Sequence, residues 1–421
     1  MTAADTSYFP KLQDISNAKI TLAEVAAPTP LIQNMHLSGV YDADVFLKRE
    51  DLQIVRSYKI RGAYNKIKSL SAEELERGIV CASAGNHAQG VTLSCKRLNI
   101  HGSIYMPTTT PKQKIEQVKM FGNGCIDIIL EGDTFDASNN KAKEYAKNSG
   151  KTFIPPFDDP KIIEGQGTIG MEIIQESKKK IDYIFVPIGG GGLASGIGAY
   201  IKQISPETKI IGVEPAGAAG MKASIDAGCV TELEKIDKFV DGAAVKRVGN
   251  YTFDICKKIL DDIVVVPEGA VCTTILELYN KSAIVVEPAG AIAVTALRFY
   301  APQIKGKSVV CIVSGSNNDI TRMEEIREKS LLYEKLKHYF IIRFPQRSGA
   351  LLSFIRDILG PNDDITHFSY MKKTNKEEGP AIIGVEVTCP QDYKNLIKRM
   401  KDQGIVYEYL NEKKDLFEFL I

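Results

Sequence analysis

An α/β fold is predicted for most of the chain: open parallel sheets covered by helices, followed from about residue 338 by a smaller α+β unit. Three observations predict it. Short β-branched runs recur from residue 79, helical stretches separate them, and after Ser314 the order changes to strand, helix, strand, strand, helix, strand. Continuous apolar strands spaced by helices indicate a parallel sheet buried on both faces. At 421 residues the chain exceeds one ordinary core, so at least two are expected.

The first strand is read at 79–82, ahead of a helix over 88–97. A strand at 103–106 is closed by Pro107 and precedes a helix over 111–121. Residues 126–130 and the amphipathic stretch 135–148 repeat the unit. Further strands are read at 183–187, 210–213, 263–266 and 309–313. Ligands of such sheets collect beyond the carboxyl ends of the strands, which is where chemistry is sought. Thr321, Arg322, Met323 and Glu324 read as a capping box opening a charged helix towards Lys335. Strands at 340–344, 365–371, 381–387 and 406–409, with helices at 350–359 and 391–403, complete the second unit, and 416–420 reads as one more strand. The expected organisation is a body over 1–320, a linker helix over 321–337 and a second domain over 338–421.

Composition narrows the function. The formal net charge is +1 with no basic tail, which argues against nucleic acid and anionic membranes as partners. Eight cysteines are scattered with no CxxC pair, a pattern of reduced thiols in a cytoplasmic protein. The N-terminal residues carry early acids and no apolar core, unlike a signal peptide. No apolar run approaches the roughly twenty residues that span a bilayer.

Four clusters carry the chemistry. Gly189, Gly190, Gly191 and Gly192 follow a strand and precede Leu193 and a helical stretch. Glycine lets successive N–H groups converge on an anion, and a helix N-terminus adds partial positive charge, so a phosphate fits; a plain connecting turn is about equally consistent. No Lys-Ser/Thr pair follows, so this is not a Walker loop. Ser57, Tyr58, Lys59, Ile60, Arg61, Gly62 and Ala63 place a lysine ahead of a helix, where a desolvated amine could form a Schiff base. In Ser83, Ala84, Gly85, Asn86 and His87, free N–H groups could hold a carboxylate. There the plainer readings are a helix cap for Asn86 and a satisfied buried histidine for His87. Ser314 closes a buried strand ahead of Gly315, Ser316 and Asn317.

Together the SxKxRGA lysine, SAGNHAQG, GGGGL, VEPAG and SGxN resemble the pyridoxal-phosphate enzymes of the tryptophan-synthase β-subunit group, and within it the threonine dehydratases. The resemblance covers residues 20–330. It implies fold type II: two open parallel-sheet subdomains with pyridoxal 5'-phosphate between them, the smaller inserted at about 50–160. It also implies Lys59 as catalytic Schiff-base lysine and base, Asn86 on the cofactor's 3'-oxygen, and Gly189, Gly190, Gly191, Gly192 and Leu193 around its phosphate. Ser314 would meet the pyridine nitrogen, and a hydroxyl there suits β-elimination because it does not enforce a pyridinium. Ser83, Ala84, Gly85, Asn86 and His87 would seat the substrate carboxylate. The implied reaction turns L-threonine into 2-oxobutanoate and ammonia. A catabolic threonine/serine dehydratase and a non-catalytic amino-acid sensor are the alternatives.

Two positions depart from relatives. Tyr58 stands where many have Phe. Ala84 stands where serine racemases of this group carry a serine, which argues for elimination over racemisation. Glu214 matches one divalent-cation ligand of those racemases, but Gly220 replaces the next, so no metal site is expected; whether a monovalent ion binds near Glu214 stays open. The C-terminal segment, through Phe344-Pro-Gln-Arg-Ser-Gly-Ala-Leu, resembles an ACT-like regulatory domain of biosynthetic threonine dehydratases. Arg347, Ser348 and Gly349 would then bind isoleucine's carboxylate; a purely structural oligomerisation domain is the other reading. A cytoplasmic homotetramer in isoleucine synthesis is implied by the same resemblance.

Overall fold

A computed structural model describes residues 8–372 and 376–420. The chain divides into two compact units, Met1–Asp319 and Ile320–Ile421.

The first unit is built on ten strands among its described residues: β1 (Leu31–Gln33), β2 (Asp44–Arg49), β3 (Ile79–Ala82), β4 (Gly102–Met106), β5 (Ile126–Leu130), β6 (Thr152–Phe153), β7 (Tyr183–Pro187), β8 (Lys209–Pro215), β9 (Asp262–Val266) and β10 (Ser308–Val313). They form two sheets, one in the order β1-β2-β10-β7-β8-β9 and one in the order β5-β4-β3-β6. All pairs are parallel except β1 with β2. β3, β4, β7 and β10 are buried at every position, as unbroken apolar runs require when helices cover both faces. The strands read from the sequence between 79 and 313 are therefore present. β1, β2 and β6 are additional; β1 and β6 have three and two residues, too short for a periodic signal.

Three helices bring the site together. Helix Pro160–Glu176 lies between Lys59–Lys68 and Gly192–Ile204, and the packing is close enough that a Cβ on Gly196 would fall 2.4 Å from the Ile163 carbonyl. Beneath Lys59 lies a buried charge cluster. The Arg61 guanidinium forks onto the Glu50 carboxylate at 2.7 and 2.8 Å and onto Glu172 at 2.8 Å on both oxygens. Burial pushes the Glu172 carboxyl up, but Arg61 and Lys48 outweigh it and hold the group down at about 2.

The second unit carries β11 (Lys337–Pro345), β12 (Asp364–Tyr370), β13 (Glu378–Glu386) and β14 (Tyr407–Tyr409) in an antiparallel sheet ordered β12-β13-β11-β14. Helices Ala350–Ile358 and Pro390–Asp402 cover it, over a core that includes Phe340, Phe354, Ile383 and Leu396. Two expectations fail. The tail is a helix, Lys414–Leu420, not a strand; Leu416 and Leu420 stand four residues apart and the Phe417 ring meets Tyr339 edge-on. The capping box is absent, because Thr321 sits inside a 3-10 turn and the helix Met323–Tyr333 starts after Arg322 without a side-chain cap. No helix of the described residues is long and apolar enough to cross a membrane.

Candidate active site

Three of the four clusters follow directly from carboxyl ends of parallel strands: 83–87 from β3, 189–193 from β7 and Ser314 from β10. The fourth opens the helix at Lys59. The Tyr58 N–H donates to the Ser314 carbonyl at 3.2 Å, and Ser57 bridges to Gly315. On another side, a Cβ on Gly90 would lie 3.1 Å from the backbone of Lys59 and Ile60, so helix Asn86–Leu98 approaches the lysine closely.

The Lys59 amine donates to the Pro156 carbonyl at 2.8 Å. Desolvation pushes its pKa down to about 8, against the pull of the Glu287 carboxylate. A lysine amine near 8 is neutral often enough at physiological pH to serve as nucleophile and base. The next residue, Phe157, packs on the glycine run. A Cβ on Gly190 would meet its ring at 2.3 Å, and one on Gly192 its backbone at 3.0 Å. Segment 156–157 thus ties the amine to the glycines, since neighbouring Cα atoms are only about 3.8 Å apart.

The glycine run is the start of a helix. Gly191 takes a left-handed φ of +92° at the N-cap, and the first intrahelical bond runs from Ser195 N–H to Gly191 O. N–H groups in the first turn have no acceptor within the helix, and Gly191, Gly192, Leu193 and Ala194 are all buried. A buried helix N-terminus of this kind suits an anion. A cofactor bearing both an aldehyde and a phosphate fits these residues: the desolvated amine for one, the amide cradle for the other.

Asn86 does not cap its helix. Gly85 occupies the N-cap with no side-chain cap, and the Asn86 amide instead donates to Glu287 Oε1 at 2.6 Å and accepts from Asn317 Nδ2 at 2.7 Å. His87 matches its plain reading. Its ring meets the Ile154 carbonyl at 3.0 Å, and burial with the Lys59 charge pushes its pKa down to about 3. What His87 offers a ligand is its backbone N–H, whereas the Gly85 N–H is engaged by Ser83 Oγ at 3.2 Å. The buried Ser314 hydroxyl donates to Ala289 O at 3.1 Å.

Pro156, Phe157 and Glu287 were not singled out in the sequence. Nothing local marks the first two. For Glu287 a signal existed, because VEPAG occurs twice, at 213–217 and 286–290.

In the second unit, Arg347, Ser348 and Gly349 are exposed at the start of helix Ala350–Ile358, with Gly349 at φ +80°. A recess of about 160 Å³ opens beside them, floored by Ile342, Phe344, Phe354 and Ile358, with Arg347 and Asp357 also lining it.

Residues 22–315 match the family model described as pyridoxal-phosphate dependent enzyme, and 328–420 that described as C-terminal regulatory domain of threonine dehydratase. The chain is 59% identical to the L-threonine dehydratase biosynthetic IlvA of Halalkalibacterium halodurans, over 98% of this chain and 99% of that protein. Identity to the Bacillus subtilis protein of the same name is 55%, over 98% and 97%. Among solved structures, the processed form of threonine deaminase isoform 2 from Solanum lycopersicum matches with TM-score 0.72 and 41% identity, over 76% of this chain and 95% of that one. Maize serine racemase matches at 0.71 and 30%, over 78% and 100%. Geometry, family models and relatives agree: the chain belongs to the pyridoxal-phosphate-dependent enzymes of fold type II, as a member of the biosynthetic threonine dehydratases with their C-terminal regulatory domain.

Proposed function

We propose that this enzyme dehydrates and deaminates L-threonine to 2-oxobutanoate and ammonia, with Lys59 as catalytic amine. The observation that carries the reading is the desolvated Lys59 amine at the Pro156 carbonyl, one residue from the ring packed on Gly190. Bound pyridoxal phosphate supplies an aldehyde for the amino acid and an electron sink for breaking the Cα–H bond. The protein's part is positional and protonic. Lys59 takes the α-proton at Nζ, and the amides of Gly189, Gly190, Gly191, Gly192 and Leu193 hold the phosphate. Asn86 would donate to the 3'-oxygen, and the Ser314 hydroxyl would turn from the Ala289 carbonyl to meet the pyridine nitrogen. Free amides in the segment Ser83, Ala84, Gly85, Asn86 and His87 receive the substrate carboxylate.

The regulatory unit we read as an isoleucine sensor, with Arg347, Ser348 and Gly349 for the carboxylate and the adjoining apolar recess for the branched side chain. We further propose a cytoplasmic homotetramer, in keeping with the implied role in isoleucine synthesis. A steady-state threonine titration with and without isoleucine tests reaction and control together. Expected are stoichiometric 2-oxobutanoate and ammonia, and weaker apparent threonine affinity with isoleucine present. Turnover indifferent to isoleucine would contradict the sensor; no turnover with either threonine or serine would contradict the catalytic assignment.

A further inference from the structure

Three residues at the site form a chain of hydrogen bonds whose direction is forced. The Val55 carbonyl can only accept, so the group facing it at 2.9 Å must be the Asn317 nitrogen, Nδ2. The same nitrogen reaches Asn86 Oδ1 at 2.7 Å, which makes Oδ1 the acceptor end of the Asn86 amide. Asn86 Nδ2 then donates one hydrogen to Glu287 Oε1 at 2.6 Å and keeps one to give. Turning the Asn86 amide over would set its nitrogen against the Asn317 N–H donor, which the Val55 carbonyl holds in place, so the Asn317 end opposes the flip.

Glu287 is itself clamped. It is 4% exposed, and its N–H donates to the Gly315 carbonyl at 3.2 Å. A Cβ on Gly315 would lie 2.4 Å from Glu287 Oε1, and one on Gly290 would lie 2.2 Å from the Gly315 carbonyl oxygen. The bare backbone at both glycines lets the loop over 315–317 close on the carboxyl group. Burial and then Asp241 push the Glu287 pKa up to about 7, while the bond from Asn86 pulls it down.

We infer that Glu287 and Asn317 are positioning residues that fix the Asn86 amide with its remaining N–H aimed into the cofactor site, so that it can only donate to the cofactor's phenolic 3'-oxygen. The inference rests on the proposed role of Asn86. It gives work to two motif residues whose function the family pattern left open.

The test reads the cofactor, not turnover. The chain has no tryptophan, so affinity of the apo-protein for pyridoxal phosphate is measured by equilibrium dialysis, alongside the visible absorbance maximum of the loaded enzyme. Glu287→Ala and Asn317→Ala should each weaken cofactor binding about tenfold and shift the visible band, the size expected when one aligned hydrogen bond is lost. Glu287→Gln retains an acceptor oxygen and should rescue both readouts to within about twofold of native. In an Asn86→Ala background, Glu287→Ala should add less than about twofold, since residues acting through one group are not additive. Circular dichroism of the apo-proteins checks folding, and Asn317→Ala removes the lock from its other end should Glu287→Ala not fold. Native readouts in both alanine variants, or an undiminished Glu287→Ala effect without Asn86, would overturn the lock alone. Native readouts in Asn86→Ala itself would overturn the lock and the assigned role of Asn86 together, while loss of the visible band in Lys59→Ala keeps the catalytic reading separate.

Discussion

The same five residues, Val-Glu-Pro-Ala-Gly, stand at 213–217 and at 286–290, and the two copies do different work. The first ends β8, where Pro215 pairs with Val266 on β9, and its glutamate turns back to the backbone. Glu214 accepts from Met221 N–H at 2.7 Å and Lys222 N–H at 2.8 Å, the opening turn of helix Gly220–Ala227. The second copy belongs to no strand; Pro288 starts a helix at once, and Glu287 accepts from the Asn86 side-chain amide. Burial pushes both carboxyls up to about 7. Identical local sequence and similar burial therefore yield an anchor in one place and a lock in the other. What decides is the neighbouring element, a helix start for Glu214 and the Asn86 amide for Glu287.

That contrast predicts a separation of effects. Glu214→Ala orphans one buried and one part-buried amide and should cost about 3 kcal/mol of apo-protein stability, read as a lower urea midpoint, with little change in the loaded enzyme's visible band. Should the band move as far as in Glu287→Ala, the two copies are not separate devices.

The next largest effect concerns pH. In the folded state Glu214 keeps its proton up to about pH 7, whereas in the unfolded chain it loses it near 4.5. The folded state then binds more protons between those values, so this stability is full below pH 4.5 and declines as pH rises through 7. The loss amounts to about 3 kcal/mol for this group. Glu214→Gln removes the titration, so its stability should fall less between pH 5 and 8 than that of the native protein. Parallel curves would contradict the assignment of burial as the cause.

Gly290→Ala should cost about 2 kcal/mol and weaken cofactor binding, because its new Cβ meets the Gly315 carbonyl at 2.2 Å and backbone must move. Gly217→Ala meets the Asp237 Cβ at 2.3 Å, a loop residue, and should cost about 1 kcal/mol without touching cofactor affinity. Calorimetry and dialysis on both variants rank the two copies directly.

The glutamates also show what a sequence can reveal. The buried strands of both parallel sheets were legible because continuous β-branched runs have few other uses, and Lys59, Asn86, the glycines and Ser314 stood out as motifs. The tail was misread as a strand because Asp415-Leu-Phe-Glu-Phe-Leu satisfies either period over six residues. Thr321 resembled a cap by spacing, but capping needs an extended backbone that the 3-10 turn denies it. Pro156 and Phe157 carry no local mark at all, since their importance comes from which chain segments happen to meet there. The repeated VEPAG marked Glu287, but not what it touches. Its partners lie 201 residues earlier, at Asn86, and in the closing loop.

Borohydride reduction of the enzyme loaded with pyridoxal phosphate, followed by peptide mass mapping, tests the central claim most directly. It should leave one phosphopyridoxyl group, on the peptide that contains Lys59. The same group on any other lysine, or a Lys59→Ala variant that is still labelled stoichiometrically, would contradict the site described above.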